Sequence, residues 1–154
     1  MAEPVKVKLT TTKGDIIIEL DEDKPITAGN FKKLVESGFY DGIIFHRVID
    51  GFMIQAGCPK GDGTGGPGYT IRDEFGKMNR NNRGTISMAN CGPNTGGSQF
   101  FINLVNNNFL DPKHPVFGKV IQGMEIVDDS SKVKRDRFDR PKEDIAITKA
   151  TVMS

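Results

Sequence analysis

At 154 residues the chain has the length of one ordinary domain, enough to bury a substantial core. Hydrophobic residues make up 36% and charged residues 27%, and a formal net charge of +1 gives no electrostatic case for nucleic acid or an anionic membrane. No stretch approaches the roughly 18 consecutive apolar residues of a membrane span, so no membrane association is expected. Cys58 and Cys91 are too few for a disulfide framework and are expected as thiols. The opening Met1-Ala2-Glu3-Pro4-Val5-Lys6 enters a strand pattern at once and lacks the apolar core of a signal peptide, so a cytoplasmic location is expected. A single domain over residues 1–154 is expected, since neither a repeat nor a linker composition interrupts the chain.

Val5, Val7 and Leu9 alternate with Lys6, Lys8 and Thr10, a period-two pattern for a strand with one buried face. Lys13-Gly14 turns the chain, and Asp15 to Leu20 returns as a second strand. Pro25-Ile26-Thr27 opens a helix with Thr27 as its N-cap; Phe31, Leu34 and Val35 form its apolar stripe, and Gly38 ends it. The runs Ile44 to Ile49 and Phe52 to Ala56 read as two strands broken at Asp50-Gly51, a tight-turn signal. Strand alternation puts Met53 and Gln55 on one face and Phe52 and Ile54 on the other. A face mixing arginine, glutamine and methionine suits a binding surface, while an amphipathic hairpin with one wet face is the plainer alternative.

Gly61-x-Gly63-x-x-Gly66 matches a dinucleotide fingerprint in letters, but Pro67-Gly68 follows where a helix would have to begin, so the loop from Gly57 to Tyr69 reads as structural. Asn79 to Gly84 is polar turn material. Strands follow at Thr85 to Ala89 and Ser98 to Leu104, separated by the turn formers Asn90 to Gly97, and Gln99 shares a face with Phe101. Asn106 to His114 is a loop carrying Phe109 and Leu110, Val116 to Ile121 is a strand, and Gly123 to Asp129 is a short helix with Met124 and Val127 inward. Lys132, Lys134, Arg135, Arg137, Arg140 and Lys142 interleave with Asp136 and Asp139 in a stretch that reads as a solvated loop before a nucleic-acid arm. Ile145 to Val152 closes the chain as a strand paired with the first. Seven or eight short strands with two helices predict a mainly β fold, an antiparallel barrel or a sandwich.

Elimination narrows the chemistry. His46 and His114 are the only histidines, no G-x-S-x-G elbow exists, and the two cysteines and two histidines lack zinc-ligand spacing. An arginine, the amides Gln55, Asn90 and Gln99, and the apolar set Phe52, Met53, Phe101, Phe109 and Leu110 remain. Such a set could hold an apolar ring beside a carbonyl without any covalent step.

Phe45-His46-Arg47-Val48, Gly51-Phe52-Met53-Ile54-Gln55, Ser87-Met88-Ala89-Asn90, Gly97-Ser98-Gln99-Phe100-Phe101 and Val116-Phe117-Gly118 together resemble the cyclophilin family, in order and spacing from Gly14 to Ile147. The resemblance implies a closed eight-stranded antiparallel β-barrel capped by two short helices, and peptidyl-prolyl cis–trans isomerase activity on proline-containing peptides and unfolded or partly folded proteins. It implies that Arg47 is the key donor, that Gln55 orients it, and that Phe52 belongs to the catalytic set. Phe52, Met53, Phe101 and Leu110 would form the proline pocket, with His114 at its wall and Phe109 as a further aromatic wall. Ala89, Asn90, Cys91 and Gln99 would bind the preceding backbone, and His46, next to Arg47, would be a further substrate-binding residue, with a hydrogen-bonded histidine just behind the pocket as the plainer alternative. No cofactor and no metal are implied, and a monomer is expected. Phe109 stands where many eukaryotic members carry tryptophan, which implies weak cyclosporin binding, and Cys91 stands where alanine is common. A proline-peptide binding module without turnover, and a metal or redox protein built on the cysteines, are the other classes considered.

Overall fold

The computed structural model describes residues 4–153; residues 1–3, where the strand pattern was expected to begin, and residue 154 lie outside the described residues. The elements run β1 (Lys6–Thr11), β2 (Gly14–Leu20), α1 (Pro25–Glu36), β3 (Arg47–Ile49), β4 (Met53–Ala56), β5 (Thr85–Met88), β6 (Phe100–Asn103), β7 (Val116–Gln122), α2 (Met124–Ser131) and β8 (Ile147–Met153). The strands form one eight-stranded antiparallel sheet in the order β3-β4-β6-β5-β7-β2-β1-β8, so the last strand does pair with the first.

One row of side chains shows why the sheet curls around its core. Val48 faces Ile54, Ile54 faces Ile102, Ile102 faces Ile86, Ile86 faces Gly118, and Gly118 faces Leu20. Every side chain of that row is buried. Gly118 is required where the row tightens, because a Cβ there would stand 2.7 Å from the Glu19 carbonyl oxygen and 3.1 Å from Ile86 Cγ2. At one end α1 inserts Phe31, which is fully buried and lies with its ring centre 5.1–5.4 Å from those of Tyr40, Phe100 and Phe117.

Three local expectations change. The helix α1 starts at Pro25 with Lys24 as N-cap, and Thr27 sits inside its first turn, where the fixed φ of proline opens the helix earlier than a threonine cap would. Its free N–H groups are met from afar: Ile26 N and Thr27 N donate to the Glu74 carboxylate at 3.2 and 2.9 Å. Gly38, at φ +78°, does terminate the helix. The strand expected from Ile44 shortens to Arg47–Ile49, and Phe52 falls in the Asp50-Gly51-Phe52 turn rather than on β4.

The barrel is curled but not closed by strand pairing. No ladder joins the edge strands β3 and β8; an isolated bridge, Ile44 to Ala146, spans the gap, with Phe45 N donating to Ile145 O and Ile147 N to Ile43 O, each at 2.8 Å. The chain meets β8 before β3 begins and then diverges from it, so the closed eight-stranded barrel expected from the sequence is an open, rolled sheet. Replacing Phe31 with alanine removes the ring shared by three aromatic neighbours, and chemical denaturation should show a loss of about 3–5 kcal/mol; a loss under about 1 kcal/mol would contradict this account of the core.

Candidate active site

The face opposite the core row carries the site. On β3, β4 and β6 the next row reads Arg47 opposite Gln55 and Gln55 opposite Phe101, displaced by one residue from Val48, Ile54 and Ile102. Met53, opposite Ile49 and Asn103, lies two residues along the same face. Burial of the isoleucines therefore forces the arginine, the amide and the phenylalanine outward together.

Two adjoining cavities open on this face. The smaller, about 170 Å³, is lined by Arg47, Phe52, Met53, Ala89, Asn90, Phe101, Leu110 and His114. The larger, about 570 Å³, shares Ala89 and Asn90 and is lined by Gln55, Cys91, Thr95, Gln99 and the glycine loop from Gly63 to Thr70. The smaller brings together Phe52, Met53, Phe101, Leu110 and His114 beside Arg47 and leaves Phe109 out. Ala89, Asn90, Cys91 and Gln99 of the larger are the residues expected to bind the preceding backbone; its other wall, the glycine loop with Tyr69 and Thr70, and Thr95 beside it, has no sequence signature.

Arg47 is exposed, and among the described residues its guanidinium makes no hydrogen bond or ion pair. Gln55 stands opposite Arg47 across β3–β4, but no hydrogen bond joins their side chains among the described residues. Gln55 Nε2 donates instead to Gln99 Oε1 at 3.1 Å, and Gln99 Nε2 donates to the carbonyls of Gly63 and Gly65 at 2.9 and 3.0 Å. Gln99 thus anchors the glycine loop, and its amide is already engaged. Asn90 Nδ2 likewise donates to Lys113 O at 2.7 Å. Phe109 is 71% exposed and lines neither cavity; it stacks on Phe52, ring centres 5.9 Å apart, at the mouth of the niche.

The wall is held by a buried asparagine network that sequence reading took for turn material. Asn81, fully buried, accepts from Ser87 Oγ and from Asn103 Nδ2, and donates through Nδ2 to Asp111 Oδ1 at 3.0 Å and His114 O at 3.2 Å. Asn107 Nδ2 donates to Phe52 O at 2.9 Å. His114 Nδ1 lies 3.0 Å from Met88 O, a carbonyl that can only accept, so Nδ1 carries a proton and the ring stands edge-on to Phe101, centres 5.3 Å apart. The backbone of Phe52 and the ring of His114 are fixed by these bonds, leaving little entropy to lose when a ligand enters.

Cys58 is buried behind the glycine loop and lines neither cavity, and although burial raises its thiol pKa, the surrounding loop N–H groups outweigh this and bring it below the ordinary value. Cys91 is exposed on the rim of the larger cavity. His46 lines neither cavity. It is buried beside Gly63, and its Nδ1 has no hydrogen-bond partner among the described residues.

A curled antiparallel sheet whose outer face sets an uncommitted guanidinium beside a ring-sized apolar niche is a cyclophilin-like architecture. A family model described as cyclophilin type peptidyl-prolyl cis-trans isomerase/CLD matches residues 6–152. The peptidyl-prolyl cis-trans isomerase CYP71 of Arabidopsis thaliana is 51% identical over 97% of this chain, which spans 24% of that relative's length. The peptidyl-prolyl cis-trans isomerase ppi1 of Schizosaccharomyces pombe is 44% identical, covering 96% of this chain and 98% of its own. A cyclophilin type peptidyl-prolyl cis-trans isomerase of Cryptosporidium parvum superposes with a TM-score of 0.95 at 36% identity over 99% of both chains. The same Cryptosporidium protein, crystallised in the presence of the dipeptide ala-pro, superposes with a TM-score of 0.93 at 36% identity, covering 97% of this chain and 99% of its own. The chain belongs to the cyclophilin-type peptidyl-prolyl cis-trans isomerase family.

Burial and the neighbouring Arg47 guanidinium hold the His46 imidazole below its ordinary value of 6.5. Below pH 6.5 the unfolded chain takes up a proton here before the folded one does, so stability falls with pH until the folded-state value is passed. Denaturation midpoints measured from about pH 7.5 down to about pH 5 should drop for the wild type and drop less for His46→Gln. Parallel profiles would show that His46 is not the group responsible.

Proposed function

We propose that the chain accelerates cis–trans rotation about X-Pro bonds in peptides and folding proteins, with Arg47 as the transition-state donor and the small niche as the proline pocket. The observation that carries this reading is the unpaired Arg47 guanidinium on the rim of a cavity whose other walls include Phe52, Met53, Phe101, Leu110 and His114.

Rotation about a peptide bond costs roughly 18–20 kcal/mol because amide resonance is lost. X-Pro isomers are close in energy yet exchange over tens to hundreds of seconds. No bond is made or broken, so no nucleophile is needed. Halfway through the rotation the proline nitrogen turns pyramidal and regains its lone pair. A cation whose N–H groups are not spent on the protein can hold the proline carbonyl and offer a donor towards that nitrogen. Such a contact accelerates the reaction only to the extent that it is stronger in the twisted state than in either planar isomer. The apolar walls hold the pyrrolidine ring while the segment before it turns. Ala89, Asn90 and the larger cavity beyond them lie on that preceding side, with Cys91 and Gln99 on the cavity wall. Gln55 stands directly opposite Arg47 in the β3–β4 pair, and its bond to Gln99 ties this part of the face to the glycine loop.

Arg47→Ala should lower kcat/KM for a proline tetrapeptide by about 10² or more, as loss of one preorganised donor does elsewhere. A variant at wild-type rate would remove Arg47 from the mechanism, and tight peptide binding without turnover in the wild type would make the chain a binding module. Phe109 has no donor to offer where tryptophan would supply an indole N–H. Cyclosporin inhibition should therefore be weak and should tighten about 2- to 10-fold in Phe109→Trp, the worth of one hydrogen bond; unchanged inhibition would show that the missing donor is not the cause.

A further inference from the structure

We infer that the loop of residues 135–141 is a positioning element for Arg47, acting through Val48, and that Arg135 is the side chain that makes it so. The inference rests on Arg47 being the transition-state donor.

The strand β3 is an edge of the sheet, three residues long, and an edge strand leaves peptide groups without partners. Both main-chain groups of Val48 are taken by this loop: Val48 N donates to Asp139 O at 2.7 Å, and Arg135 Nη1 donates to Val48 O at 2.8 Å. Val48 N belongs to the peptide bond that follows the Arg47 α-carbon. Its hydrogen bond therefore fixes the plane from which the arginine side chain springs, while the β4 ladder holds Arg47 and Ile49 from the other side. No sheet neighbour exists to do this, and the Arg135 guanidinium reaches across in its place.

The loop is built stiffly enough for the task. Asp136 Oδ1 accepts from Phe138 N at 2.8 Å and Arg140 N at 3.2 Å, and Asp136 N donates to Arg140 O at 2.9 Å. Asp139 is held at φ +63°, a left-handed conformation that costs a non-glycine residue free energy, and its carboxylate lies 3.7 Å from Arg135 Nη1. The contact thus couples three groups: the strained Asp139, whose carbonyl receives Val48 N–H; its carboxylate, which steadies Arg135; and Arg135 itself, which closes back on Val48 O. The side chain of Phe138 belongs to the same loop but is 71% exposed and takes no part in these bonds.

A mutant cycle with Arg47 tests the inference. Arg135→Ala should lower kcat about tenfold with KM unchanged, because a donor displaced by an ångström loses transition-state contact and not ground-state binding. In an Arg47→Ala background the same substitution should have no further effect, and Phe138→Ala should match the wild type. Arg135→Met, which keeps the stem and loses the donor, reads the same quantity if the alanine variant fails to fold, and Arg135→Lys should recover part of the rate by restoring one donor. If Arg47→Ala is slow while Arg135→Ala and Arg135→Met are not, positioning by Arg135 is wrong and the catalytic role of Arg47 stands. If the Arg135 effect is the same factor with and without Arg47, it acts through general structure and the inference fails. If Arg47→Ala itself runs at the wild-type rate, both readings fall together.

Discussion

The alternation of side chains along β3, β4 and β6 is the constraint from which the site follows. Burying Val48, Ile54 and Ile102 stabilises the fold by about 1.5–3 kcal/mol each, and the neighbours one residue away are then committed to the outer face. Those neighbours are Arg47, Gln55 and Phe101. A slip of one residue in either pairing would drive a guanidinium into the core and bring isoleucines to the surface, so the hydrophobic effect sets the register and the register places the cation. The same packing that holds the sheet together thus decides what its outer surface can bind.

Polar groups complete what burial begins. Asn81, Asn103 and Asn107 are buried, and each would cost about 1–3 kcal/mol if left unpaired. They satisfy one another and the chain around them, tying the Phe52 carbonyl, the Asp111 carboxylate and the His114 carbonyl into one lattice. Arg47, Met53 and Phe101 reach the niche from paired strands, but its other walls come from the Phe52 turn, the short 3-10 segment Asn108–Leu110 and the loops carrying Asn90 and His114, none of which has a ladder to hold it. The asparagines supply that rigidity.

The molecule meets its unpaired backbone groups with contacts from distant segments. Glu74 covers the first N–H groups of α1, and residues 145–147 bridge the approach to β3. The loop of residues 135–141 takes the place of a strand along β3 itself. These contacts join residues far apart in the chain, and they stand where an open edge would otherwise invite pairing with another chain. The basic stretch read as a solvated loop is in this respect part of the framework, although Arg137 and Phe138 at its tip face solvent.

Period-two alternation, the Lys13-Gly14 and Asp50-Gly51 turns, the apolar stripe of α1 and its glycine stop were all legible, because each is a local preference written over a few neighbouring residues. The motifs around Arg47, Met88 and Gln99 were enough to place the chain in its family. Local pattern could not show that Thr27 would yield its capping role to Glu74, that the strand from Ile44 would shorten to three residues, or that Phe52 would leave its strand face and enter the niche from a turn. Nor could it show the engaged amide of Gln99, the exposure of Phe109, or the buried asparagines in a stretch composed like a turn. Each of these depends on a partner 30 or more residues away, or on how much space the folded chain leaves, and chain connectivity carries neither. Residue types and their period settled which surfaces would be apolar and which polar, while three-dimensional closure settled which polar groups were spent on the fold and left the Arg47 guanidinium at the niche unpaired among the described residues.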